Sequence, residues 1–211
     1  MNVYININFY GLYYYYIIGI IILLILLLCN NNISMMNYLT IFLDYVGRYG
    51  PSILFLFSVF LLWNKTNYLT YYVYGFILNA LLTLILKGII KQPRPSEDQN
   101  LFNLAIKEPK RFKFVSGYPY DVFGMPSGHS SLVWFSTIFI FLVFKNNRFL
   151  FIYLLFSINT MIQRINSNSH TPIQVIAGAF VGSIFSYLIY YMARQKIMGN
   201  LILKMDDDGP I

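Results

Sequence analysis

The chain has 211 residues but two histidines, and both stand in polar interruptions of very apolar sequence. His129 belongs to "GMPSGHSS" (124–131) and His170 to "QRINSNSHTPIQVIAG" (163–178). A third interruption, "KGIIKQPRP" (87–95), carries Lys87 and Arg94. An imidazole can attack phosphorus or protonate a leaving oxygen. Lys87, Arg94 and Arg164 can together hold the three equatorial oxygens of a phosphoryl group in transfer. Pro126, Ser127 and Gly128 make a turn into a helix, with Ser127 as a plausible cap and Gly128 allowing close backbone approach. The first N–H groups of that helix and its positive dipole end suit an anion. Gln174 lies one turn beyond His170, so the two side chains can meet on one helix face.

The chemistry predicted is phosphoryl transfer, with one histidine as nucleophile and the other as general acid. Glu97, Asp98, Glu108 and Asp121 are isolated or loop-borne and form no cluster for Mg²⁺. A phosphohistidine route with no metal and no cofactor is therefore expected. Taken singly, each interruption has a plainer explanation: snorkelling cations at a membrane boundary, a capped helix start, and an interfacial loop with a satisfied histidine. Their convergence on one membrane face makes them a functional candidate.

The elements that must position these groups are helices in a membrane. Hydrophobic residues make up 57% of the chain and charged ones 11%, against about 25% charged in soluble domains. Apolar runs at 10–29, 49–64, 69–91, 129–145, 148–166 and 170–193 predict an all-α bundle of six transmembrane helices. Run 10–29 reads as a retained helix rather than a cleaved signal peptide, and Cys29 within it as a small buried hydrophobe. A segment of 34 residues, 92–125, stands out as a polar functional loop, a lid or binding loop. The divisions expected are 1–48, an N-terminal helix and connector; 49–193, the catalytic core; and 194–211, a polar, solvated tail. Asp44 reads as an interfacial residue. The net charge of +7 is scattered rather than striped, which excludes nucleic acid as a partner and suits anionic lipid.

The three interruptions, in this order, resemble the type 2 phosphatidic acid phosphatase superfamily. Lys87 and Arg94-Pro95 match its first motif, and Pro126-Ser127-Gly128-His129 its second. Arg164, His170 and the run "HTPIQVIAG" match its third. The resemblance covers about residues 50–193. It implies His170 as nucleophile and His129 as general acid. It also implies phosphate binding by Lys87, Arg94, Ser127, Gly128 and Arg164, on a haloperoxidase-like helical core.

Two positions depart from the pattern. Gln163 replaces a serine, and Gln174 replaces the aspartate that orients the nucleophile. Gln174 can still fix the tautomer of His170, but it brings no charge. The dolichyl-diphosphatase branch is similar at this place, with a run H-T-x-x-Q-V, so Gln174 looks like a subfamily signature. The expected protein is an integral, multi-pass membrane lipid phosphatase with its site on the non-cytoplasmic, lumenal face. Its partners are membrane lipids and a lipid phosphate or diphosphate. Polyprenyl or dolichyl diphosphate is favoured and phosphatidic acid is the alternative. A catalytically inactive lipid-binding protein and a channel or transporter are the rival classes.

Overall fold

Hydrocarbon offers backbone groups no water, so continuously apolar runs pair their amides internally as helices. A computed structural model describes residues 32–96, 99–107, 111–115 and 118–207. Helices α1 (Asn32–Arg48), α2 (Gly50–Leu62), α3 (Thr66–Ile90) and α4 (Gln99–Lys107) precede a hairpin of β1 (Phe112–Val115) and β2 (Tyr118–Asp121). Helices α5 (Gly128–Phe144), α6 (Asn147–Asn166) and α7 (Pro172–Asp207) follow. The described residues are all-α apart from that hairpin. Residues from Asp44 onward belong to one compact unit.

Five of the six expected apolar segments are helices: α2, α3, α5, α6 and α7. The expected span 10–29, with Cys29, lies outside the described residues. Among the described residues, α3, α6 and α7 are long and apolar enough to cross a membrane. A fourth crossing results if Asn37–Arg48 and Gly50–Leu62 count as one broken span. Helix α5 is apolar but has only 17 residues. Among the described residues, six spans are therefore not reached by length and composition alone.

Two further differences have local causes. Helix α7 continues past 193 to Asp207, because only Gly199 interrupts good helix formers before Gly209 and Pro210. Part of the expected tail is thus helical. The segment 92–125 is also not structureless. It holds α4 and the antiparallel hairpin, in which Phe112 pairs with Asp121.

Helix α5 lies in the core. Its Val133, Phe135, Phe139 and Ile140 are buried with Tyr72 of α3 and Leu54 of α2. Buried hydroxyls and amides pair across helices: Tyr72 with Ser136 (2.8 Å), Ser58 with Tyr153 (2.8 Å), Thr137 with Ser157 (2.8 Å), Ser131 with Asn79 (3.0 Å). Outward positions such as Ile77, Leu81 and Ile85 on α3, or Phe180 and Ile184 on α7, are exposed and apolar. Polar pairs inside and apolar side chains outside are what a lipid surround selects.

One glycine pair sets the site. A Cβ at Gly178 would strike the carbonyl of Ser127, and one at Gly182 the carbonyl of Ser131. The spacing of four puts both glycines on one face of α7, so its backbone meets the start of α5 directly. That contact brings the second and third sequence motifs together.

Candidate active site

Three helix ends meet at one rim. Helix α3 stops where Lys91 takes a left-handed conformation (φ 50°) and its N–H closes on the Lys87 carbonyl. Pro93 and Pro95 then prevent any resumption. Lys87, one turn from that end, is 4% exposed. Its Nζ donates to the Phe123 carbonyl (2.8 Å) and lies 3.9 Å from Asp121. Arg94 donates through Nε to the Asp121 carbonyl (2.8 Å).

The chain reaches α5 through a cis Met125–Pro126 bond. Ser127 occupies the N-cap position, but its side chain makes no cap hydrogen bond. Its hydroxyl is buried without a partner among the described residues, as is that of Ser130. The backbone N–H of Ser127 is taken by the Gln174 carbonyl (3.0 Å). The first N–H to bond back to the cap carbonyl is that of Ser131 (3.0 Å), so those of Gly128, His129 and Ser130 have no acceptor within their helix. The nearest atom to a Cβ at Gly128 would be Thr83 Oγ1, at 3.8 Å, so the protein leaves that approach open. His129, half-buried in the first turn, has the Arg48 backbone as a hydrogen-bond partner.

The turn from α6 to α7 folds back on itself. The N–H groups of Ser169 and His170 both donate to the Arg164 carbonyl (3.2 Å each). Asn168 takes a positive φ of 51°, which asparagine tolerates better than most residues. His170 is thereby held beside Arg164 and is 2% exposed. Thr171, whose hydroxyl accepts from Gln174 N–H (3.3 Å), precedes α7, which starts at Pro172.

Gln174, also buried, makes four hydrogen bonds with its amide. Oε1 accepts from Thr171 N–H (3.2 Å) and faces His170 Nδ1 (3.2 Å). Nε2 donates to the Pro93 carbonyl (2.8 Å) and to Gln92 Oε1 (3.0 Å). Two of those partners are backbone groups of fixed polarity: a peptide N–H can only donate and a carbonyl can only accept. They determine which end of the amide is oxygen. His170 must then carry its proton on Nδ1, which leaves Nε2 as the free lone pair. Gly124 makes room for this longer side chain, since a Cβ there would lie 2.6 Å from Gln174 Oε1.

Lys87, Arg94 and Arg164 act electrostatically on both imidazoles, so the five groups share one neighbourhood. Burial, and then the charges of Arg94, Lys87 and Arg164, push the His170 imidazole far below its ordinary range, against the opposing hydrogen bond of Gln174. His170 is thus neutral at pH 7, with the lone pair of Nε2 unprotonated.

Sequence reasoning missed three residues. Asp121, 8% exposed and dismissed as loop-borne, accepts a two-pronged contact from Arg111 (Nε to Oδ1 3.0 Å, Nη2 to Oδ2 2.8 Å) and from Phe123 N–H (3.1 Å). It links Arg111 to Lys87 and Arg94. Gln92 ties Gln174 to the first motif. Asp44 is more than interfacial: it pairs with Arg48 (3.1 Å) and accepts from Gln163 Nε2 (3.0 Å). The residue that departs from the serine pattern is thus used to pin the chain before α2. Among the described residues no three His, Cys, Asp or Glu side chains gather as metal ligands.

The family model described as "PAP2 superfamily" matches residues 68–198. Among solved structures, LpxE of Aquifex aeolicus is similar in fold, with a TM-score of 0.52 and 24% identity. That likeness covers 72% of this chain and 85% of LpxE. No curated protein matches the chain.

Proposed function

The chain belongs to the PAP2 superfamily, and from that premise we propose that it is a membrane lipid phosphatase acting on a polyprenyl or dolichyl diphosphate by a metal-independent phosphohistidine mechanism. The observation that carries it is the shared neighbourhood of two imidazoles and three cations, with the His170 proton fixed on Nδ1 by Gln174. Lys87, Arg94 and Arg164 bind the non-bridging oxygens, with the Ser127 hydroxyl and the N–H groups that open α5 at Gly128. The lone pair of His170 Nε2 attacks phosphorus as the bond to the leaving oxygen breaks. His129, protonated once the charge of the bound phosphate offsets the three cations around it, delivers that proton to the leaving oxygen. Water then attacks the phosphorus as His129 takes its proton, the phosphorus–nitrogen bond breaks with its electron pair returning to His170 Nε2, and inorganic phosphate leaves. Cationic side chains here supply the charge stabilisation that Mg²⁺ supplies elsewhere.

Two features support a diphosphate substrate over phosphatidate. The run from His170 to Val175 is similar to that of the dolichyl-diphosphatase branch. A neutral partner for the nucleophile also suits a leaving group as good as phosphate. Purified protein in detergent with EDTA should release phosphate faster from dolichyl diphosphate than from phosphatidate, and His170→Ala should abolish release. Loss of activity on chelation refutes the metal-independent route, and a preference for phosphatidate refutes the substrate.

We further propose that the catalytic rim faces the lumen. In a Cys29→Ser background, a cysteine introduced by Asn168→Cys, in the exposed turn before His170, should react with an impermeant maleimide from the non-cytoplasmic side. Labelling from the cytoplasmic side alone reverses the orientation.

A further inference from the structure

Gln92 lies between the two cations of the first motif, where a linker residue is all that the spacing requires. Its main chain does serve as a linker, since its carbonyl accepts from Gly124 N–H (2.7 Å). Its side chain does something else. Oε1 accepts a hydrogen bond of 3.0 Å from Gln174 Nε2, the far end of the amide that faces His170. A chain of three polar groups therefore runs from Gln92 through Gln174 to the ring nitrogen opposite the attacking lone pair.

We infer that Gln92 is a positioning residue for the nucleophile, acting through Gln174; this rests on His170 as the attacking group. The physical reason is polarisation along the chain. An acceptor on the amide nitrogen draws its hydrogens and pushes electron density onto the amide oxygen. Oε1 then accepts more strongly from His170 Nδ1–H as positive charge builds on the ring during attack. Pro93 supplies one such acceptor from the backbone, and Gln92 supplies the second. The pair of glutamines thus does with neutral groups part of what a carboxylate does with charge. The assignment also explains why Gly124 must lack a side chain, because the amide in the middle of the chain occupies that space.

The test compares Gln92→Met, which keeps length and loses the amide oxygen, with Gln92→Glu, which keeps an acceptor. Phosphate release is followed against a lipid phosphate over a range of concentrations, together with thermal unfolding in detergent. The expected result is a kcat for Gln92→Met lowered about tenfold, the size of one hydrogen bond expressed wholly in the transition state. KM should stay within about twofold, since ground-state binding is untouched, and Gln92→Glu should keep at least half of the wild-type kcat. Four outcomes overturn the assignment: an unchanged kcat in Gln92→Met, a loss expressed in KM instead, a Gln92→Glu enzyme as slow as Gln92→Met, or a Gln92→Met protein that does not fold. His170→Ala run alongside separates the two levels. If it is inert while Gln92→Met is as fast as wild type, only the role of Gln92 fails. If it remains active, the nucleophile itself is wrong.

Discussion

Gln174→Glu changes one atom's polarity and almost nothing else. The atom that replaces Nε2 sits 2.8 Å from the Pro93 carbonyl and 3.0 Å from Gln92 Oε1, so two donated hydrogen bonds become contacts between acceptors. Gln92 can turn its own amide and donate, recovering one of them; the Pro93 carbonyl cannot. The loss at Pro93 is about 1–3 kcal/mol, the cost of a buried group left unsatisfied. Against it, the bond to His170 becomes charge-assisted and gains about 1 kcal/mol. The net is about 1 kcal/mol against the aligned rotamer, or a fivefold to tenfold lower kcat at pH 7. The deficit should shrink as pH falls toward 4, because a protonated glutamate can again donate to Pro93. Initial rates of phosphate release at saturating lipid substrate, taken across that range, measure both. A Gln174→Glu or Gln174→Asp enzyme many times faster than wild type would refute the reasoning, because it would mean a site that had merely lost its carboxylate.

Asp121→Asn leaves the Arg111 fork and Lys87 without their buried counter-charge, and should destabilise the fold by about 3 kcal/mol in thermal or denaturant unfolding. KM for lipid phosphate should rise in the same variant, as Lys87 and Arg94 lose the loop that holds them. His170 is held neutral in the folded protein and takes a proton near pH 6.5 when unfolded, so the unfolded state binds the extra proton below that pH. Stability should therefore be constant in this respect above about pH 6.5 and fall as pH drops below it; His170→Phe, if folded, should flatten that slope. The acid limb of kcat/KM should likewise not sit at the ordinary histidine value.

Lys87, Arg94, Ser127, His129, Arg164 and His170 were legible for a reason particular to membranes. Hydrocarbon forbids polar groups along most of each helix, so those that remain mark helix ends, and helix ends on one face share a rim. The apolar runs betray the helices on the same ground. Asp121 was not legible, because a lone acid in a loop has no periodicity to place it. Only the hairpin, setting Phe112 opposite Asp121, brings it under Arg111. The alternation in "FKFV" and "YPYD" was the available signal. Gln92 was hidden by its neighbours, since a residue between Lys87 and Arg94-Pro95 looks like spacing. Asp44 meets Gln163 across 119 residues, a distance at which nothing in the sequence pairs them. Polarity places the end of α7 near 193, whereas helix formers carry the backbone on to Asp207.

The neutral partner of His170 bears on the choice of substrate. A buried carboxylate at 174 would steady the imidazolium that forms on attack, but it would bring its own desolvation cost and would face the Pro93 carbonyl. In the proposed reaction the positive ring acquires the transferred phosphoryl group itself, whose oxygens lie beside Lys87, Arg94 and Arg164 and carry the compensating negative charge. What the amide then must supply is direction: a single tautomer, one ring orientation, and a polarised acceptor backed by Gln92 and Pro93. Direction without charge leaves a nucleophile of moderate strength. Such a nucleophile is adequate where the leaving group is itself a phosphate and poor where it is an alkoxide. On the proposed mechanism, a neutral amide at 174 therefore favours the anhydride bond of a lipid diphosphate over the ester bond of a monophosphate.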